Sequence, residues 1–189
     1  MERYENKSER LALLLNREEV QDARVEAAQI RLRESVDQAD ALEAIREIVA
    51  NLLGSEEMLV FGVDQTQGLW WVLWSFGVEL ADQSMFDILT PPVLQLLQQG
   101  KPFVGSAAAT SESSDATPKI TAFVPIRLEE HTAAVLVIFR LLKQKKSVEA
   151  EDLALFDVIT REAGIALFRT PADPEPNRGI VNEQEYGQI

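Results

Sequence analysis

The sequence has no cysteine and one histidine among its 189 residues. The missing thiols exclude disulfides, thiolate catalysis and thioether-linked chromophores. The lone histidine, His131, stands among polar neighbours in Glu129-Glu130-His131-Thr132, with no carboxylate or sulfur cluster at metal-ligand spacing. A Ser/His/Asp set would have to use it, and a turn is a poor mount for a general base. Basic residues are also scarce, 18 against 31 acidic ones, for a net charge of −13. Phosphate-rich partners, nucleic acid and anionic membrane alike, are repelled by such a chain. Long apolar runs are missing too. The longest, Leu69 to Val78, falls well short of the roughly 20 residues a membrane helix needs. Met1-Glu2-Arg3-Tyr4-Glu5 is too polar for a secretory signal. The expectation is a soluble, cytoplasmic protein without metal or cofactor.

Glycine and proline are absent from Met1 to Leu53, and Gly54 supplies the first stop. One helix of that length would reach roughly 70 Å, more than twice the width of a small domain. It must break or overhang. Asp37 can cap a second segment, residues 38–53, whose Leu42, Ile45, Ile48, Val49 and Leu52 make an apolar stripe. Before it, residues 1–37 read as a helical arm with Leu11, Leu14, Val25, Ala28 and Leu32 at heptad spacing. Glu18 and Gln21 interrupt this coiled-coil seam. A homodimer through residues 10–53 is expected over a solvated arm.

What is abundant lies between Lys119 and Thr170. Residues 120–128 and 132–142 alternate as two strands joined by a tight Glu129-Glu130 turn. Pairing Leu128 with His131 and Phe123 with Leu136 divides the hairpin into two faces. Ile120, Ala122, Val124, Ile126 and Leu128 then join Ala133, Val135, Val137, Phe139 and Leu141 under helices. Lys119, Thr121, Phe123, Pro125 and Arg127 join Thr132, Ala134, Leu136, Ile138 and Arg140 on a face that is basic at its ends. A helix follows from a cap at Ser147, with Leu153, Phe156, Ile159, Ala163, Ala166 and Leu167 inward and Pro171 as its stop.

The middle of the chain reads as strand 58–63, turn 64–68 and a return strand, Leu69 to Phe76, that is apolar on both faces and so expects cover on both. Trp70 and Trp74 are expected to point one way and Trp71 the other. At this spacing aromatics more often fill a core than stack on a ligand. Thr90 caps a short helix that ends at Gly100, and Lys101 to Val104 makes an edge strand because Pro102 cannot donate to a ladder. Residues 105–118 form a long loop, and the proline-rich residues 171–189 a disordered tail.

This order resembles that of GAF domains. The resemblance rests on Ile48-Val49-Ala50-Asn51-Leu52-Leu53-Gly54 before the first strand, Trp74-Ser75-Phe76-Gly77, the run Val93 to Pro102, Val124-Pro125-Ile126 and the closing helix from Glu149 to Leu167. It covers residues 38–170 and implies an α+β fold: a six-stranded antiparallel sheet with the N- and C-terminal helices packed on one face and a ligand pocket on the other. Where the family usually has glycine this chain has Ala134, which implies a smaller cavity. The Asn-Lys-Phe-Asp-Glu signature of cyclic-nucleotide-binding members is absent. The chain also lacks the cysteines of members that reduce methionine sulfoxide, and the cysteine or suitable histidine that bilin binding needs. What the resemblance implies is a non-enzymatic sensory module without attached output domain, holding a small ligand and signalling to a separate protein. The rival expectation is a ligand-free adaptor in a two-component or chemotaxis-like pathway. The expected ligand residues are Thr121, Phe123, Arg127 and Arg140, with Trp70 and Trp74 on the adjoining strand. The three cations Lys119, Arg127 and Arg140 suit an anionic or carbonyl-rich ligand, unless they simply reach water at the rim.

Overall fold

Asp37 decides where the long N-terminal helix ends. Its extended backbone (φ −147°) and its carboxylate, which accepts from Asp40 N at 2.8 Å, start a new helix as its N-cap. The structure, a computed structural model, describes residues 2–78, 91–105 and 120–168, with side chains from residue 14 onward except those of residues 91 and 92. The expected loop 105–118, apart from Gly105, and the expected tail 171–189 lie outside these residues, as do Thr90 and Lys119. Helix α1 runs Glu2–Arg33 and α2 Gln38–Glu47, continued by a π-helical turn, Ile48–Leu53, that closes on Gly54 in the left-handed region (φ 74°).

Helix α1 is 32 residues long, or about 48 Å, and only its first half overhangs. Ala28 and Leu32 are buried in one core with Ala41, Ala44, Ile45 and Val49. Leu14, Leu15 and Val20 stay more than half exposed. A self-contact spanning residues 10–53 is therefore corrected: the part from about Val25 onward already packs within its own chain.

Strands β1 (Met58–Asp64), β2 (Leu69–Phe76), β3 (Phe103–Val104), β4 (Ala122–Leu128) and β5 (His131–Ile138) form one antiparallel sheet in the order β2-β1-β5-β4-β3. Five strands stand among the described residues, against the six implied by resemblance. Helix α3 (Pro91–Gln98) precedes β3, and α4 (Ala150–Phe168) closes the fold. The hairpin lies near the centre of the sheet, and Asp64 Oδ1 holds the β1–β2 turn by accepting from Thr66 N and Gln67 N.

The hairpin register begins as expected, with Leu128 opposite His131 and Arg127 opposite Thr132. It then skips Ala133, so that Ile126 faces Ala134 and Phe123 faces Val137. This single bulged residue reverses the sides of β5. Ala134, Leu136 and Ile138, with Met58, Val60, Ala122, Val124 and Ile126, lie under the helices. Val135, Val137 and Phe139 lie on the opposite face with Leu59, Phe61 and Phe123. The expected faces thus hold for Ala122, Val124 and Ile126 of β4 and are exchanged for β5. Phe139 is buried as expected (0% exposed), but burial did not report its side, because both sides are covered.

A second bulge, at Leu73, sets Val60 opposite Trp74 but Phe61 opposite Val72. It splits the tryptophans differently from the alternation expected: Trp70 joins the Phe61 side, while Trp74 joins the helix side. Strand β2 is an edge and half exposed, not covered on both faces; Val72 is 39% exposed.

Helix α4 starts later than Ser147. Glu149 O accepts from Asp152 N, and Asp152 Oδ2 accepts from Glu149 N. Leu153, expected inward, is 45% exposed, while Leu155, Phe156, Val158 and Ile159 are buried. The helix meets β4 backbone to backbone: a methyl group at Gly164 would lie 1.8 Å from Arg127 O. At Gly62, by contrast, an added methyl meets only the Trp71 indole, 2.2 Å from Cε2. We therefore expect Gly164→Ala to destabilise the fold by about 3 kcal/mol, the upper end of overpacking costs. Gly62→Ala should cost less, because a side chain can swing away. Urea unfolding of both variants checks the order.

Charged pairs fasten α1 to its neighbours. Arg31 donates to Asp40 (2.8 Å) and Glu47 (2.7 Å), and Arg33 donates to Glu162 of α4 (2.8 Å). Hydrogen bonding to Arg31 holds Asp40 below its ordinary value of 3.8, and hydrogen bonding to Arg33 holds Glu162 below 4.5. A depressed carboxylate contributes stability above its unfolded-state value and loses it as pH falls through the folded one. Acidification below about pH 4 should therefore loosen the second half of α1 before the sheet. Amide exchange, corrected for intrinsic rates, should show residues 24–33 losing protection relative to β5 in that window, and not between pH 8 and 5.

Candidate functional site

The sheet face away from the long helices is the place where a ligand would sit, and its chemistry follows from the bulge at Ala133. Leu59 and Phe61 of β1, Val135 and Val137 of β5, Phe139 beyond it and Phe123 of β4 meet there, with Val93 and Leu97 of α3 above them. Trp70, Phe103 and Ile120 are packed at its margins. Phe61 and Trp70 meet edge to face (6.2 Å, 77°), and Phe103 tilts against Phe123 (6.0 Å, 55°). Thr132 is a buried polar group at one end, and its Oγ1 donates to Leu97 O at 3.0 Å, tying α3 to β5. The described part of this face is hydrocarbon and aromatic.

The six expected ligand residues are only partly gathered here. Phe123 and Trp70 belong to the cluster. Thr121 is half-buried at the strand's start, where its amide donates to Ile138 O at 2.8 Å. Arg127 lies at the opposite end of the strand, where its Cδ passes 3.1 Å from where a methyl on Gly100 would stand. Its guanidinium donates to Glu130 O (3.2 Å), with the Glu130 carboxylate at 3.4 Å. Arg140 points outward, its side chain 72% exposed, and pairs with Glu57. Trp74 lies on the other face of the sheet, stacked on Phe76 (6.0 Å, 12°), with Arg46 5.1 Å over the Phe76 ring. The described cations of the expected anion site thus sit at separate rims, each beside a carboxylate. Ala134 is also off this face, so the smaller cavity implied at that position does not follow.

Phe61, Val135, Val137 and Phe139 were not among the expected site residues. The signal that would have found them is the bulge, and neither Thr132-Ala133-Ala134 nor its neighbours advertises one.

A second constellation lies where α1, α4 and the connector meet. Asp152 is 2% exposed, yet it is fully employed. Its Oδ1 accepts from Lys145 Nζ at 2.7 Å and has Arg24 Nη2 at 3.5 Å, while Oδ2 takes the Glu149 amide at 2.8 Å. Arg24 also donates to Leu52 O, and Gln21 to Glu151 O, so α1 is latched to both the π-helical turn and the start of α4. A carboxylate so enclosed by cations is a structural tie. Among the described residues no group of three His, Cys, Asp or Glu side chains is placed to hold a metal, and no helix is long and apolar enough to cross a membrane.

The family profile described as GAF domain matches residues 37–169. No curated protein sequence matches the chain. Among solved structures, the fold is similar to the GAF domain of an Acinetobacter phosphoenolpyruvate-protein phosphotransferase (16% identity, TM-score 0.57, covering 82% of this chain and 98% of that one). It is similar as well to the GAF domain/HD domain protein of Geobacter sulfurreducens (12% identity, TM-score 0.55, 74% and 98% covered). Residues 122 to 287 of a methyl-accepting chemotaxis protein give 12% identity and a TM-score of 0.53, with 75% and 95% covered. At these identities the likeness speaks for the fold, and the profile match over most of the chain speaks for the family: the chain belongs to the GAF domain family of sensory and regulatory modules.

Proposed function

We propose that the chain is a cytoplasmic, non-enzymatic regulatory module that binds a small apolar or aromatic ligand on the sheet face away from its long helices. Occupancy of that face is passed through the terminal helices to a separate signalling protein. The observation that carries this reading is the composition of the face, Leu59, Phe61, Phe123, Val135, Val137 and Phe139, with the arginines at its rims beside carboxylates. Such a surface selects by shape and apolar area, not by charge. A route outward runs through β5. Thr132 holds α3 on one side, Leu136 and Ile138 carry the helices on the other, and Asp152 fixes α1 to α4. The exposed Leu14, Leu15 and Val20 of the α1 overhang are offered to a second copy, making a homodimer.

One observation favours the adaptor reading. Phe61, Phe123 and Phe139 are each at most 2% exposed, so the face already fills itself. Native mass spectrometry of protein purified from cells separates the two readings. A retained apolar molecule is expected, held equally by the parent and by Arg140→Ala, and about tenfold more weakly by Trp70→Ala, equivalent to about 1.4 kcal/mol. No retained mass, together with no thermal stabilisation by any member of an aromatic fragment set, would make the adaptor the function.

A further inference from the structure

We propose that the outer edge of β2 pairs with β2 of a second copy, antiparallel across a twofold axis, joining two five-stranded sheets into one. This contact is distinct from the α1 overhang. Strand β2 ends the sheet, and no described strand pairs with its outer side. Natural edge strands are kept from pairing by charge, proline or shortness. The other edge of this sheet uses shortness, since β3 has only two residues. Strand β2 uses none of these devices: Leu-Trp-Trp-Val-Leu-Trp-Ser-Phe is eight residues without a charge or a proline.

Charge selects the occupant. The chain carries −13 in all, so two copies repel over most approaches. Along β2 they meet without setting one carboxylate directly against another. The bulge at Leu73 supplies the geometric argument. A regular strand of eight residues cannot pair with itself over its full length, because every partner would come from the opposite face. The bulge removes that conflict. It puts Trp71, Trp74 and Phe76 on the helix side, opposite Gly62, Val60 and Met58, and puts Trp70 and Ser75 on the other side, opposite Val63 and Leu59. In the full-length register Leu69 then faces Phe76, Trp70 faces Ser75 and Trp71 faces Trp74, every pair from one side. The aromatic row is also pre-set: Trp71 lies over Gly62, and Trp74 is stacked on Phe76 beneath Arg46. Twofold self-pairing of this kind is isologous, so it closes on itself.

The test uses the full chain in sedimentation velocity and concentration-dependent amide exchange. Leu14→Glu charges the α1 overhang and should leave a dimer held by β2, whose amides 69–76 gain protection as concentration rises. Adding Val72→Lys, at a side chain 39% exposed, should give a monomer, while adding Val72→Thr should leave the dimer, which separates edge charge from loss of fold. A monomeric Leu14→Glu chain, or protection of 69–76 that ignores concentration, overturns the β2 contact and leaves the α1 contact standing. A Leu14→Glu chain that sediments like the parent, with Val72→Lys alone converting the parent to monomer, removes the α1 contact and upholds β2.

Discussion

A sheet whose central strands are hydrocarbon on both sides has no face to give to water, and this constraint governs the rest of the molecule. Met58 and Val60 of β1 point one way and Leu59 and Phe61 the other; Leu136 and Ile138 of β5 oppose Val135 and Val137 in the same manner. Each side therefore needs its own cover. On one side α2, α4 and the second half of α1 provide it, with α4 so close over β4 that only glycine fits at 164. On the other, α3 and Phe103 provide the described part. The two covers have different chemistry. The helix layer is rimmed by ion pairs, and the opposite face holds almost no polar anchor besides Thr132.

That asymmetry assigns different mechanical roles to the two layers. Ion pairs at half-exposed sites contribute little to stability one by one, but Asp152 is enclosed. It accepts from groups that belong to α1, to the connector and to the first turn of α4. Removing one partner of such a set leaves charge without compensation, so the helices keep their relation to one another or lose it together. The apolar face has no such latch. Its packing is non-directional, so small changes of volume there are met by side-chain movement, with β5 as the shared wall between the layers.

Much of this was legible from residues alone. Asp37 as a cap, the two hairpins, the short edge strand at Phe103, the hairpin at the sheet's centre and the helices on one side all follow from capping chemistry, periodicity and turn residues. What escaped was the effect of single extra residues. A bulge at Ala133 and another at Leu73 change no composition and break no alternation that a reader of letters can see, yet each exchanges the sides of everything beyond it. The candidate site depends on sides, so the same errors that spared the fold displaced Trp74 and Arg140 from the site and left out Val137 and Phe139. Doubly apolar strands worsen this. When both faces are buried, hydrophobicity no longer marks which way a residue points.

The two bulges then take on a common meaning. At Ala133 the skipped residue sends Phe139 and two valines to the free face and gives the helices the smaller Ala134 beside Leu136 and Ile138. The bulkier aromatic set gathers where no long helix has to approach, and small side chains line the side where α4 comes in backbone to backbone at Gly164. At Leu73 the skipped residue places Trp71, Trp74 and Phe76 together beyond the reach of α4, as one aromatic row at the sheet's edge. In both places one inserted residue sorts large rings away from the closely packed helix contact and onto surfaces still free to be covered by something else. For a module of a regulatory family, those are the surfaces on which ligand or partner can change the balance, because the helix contact itself leaves no room to yield.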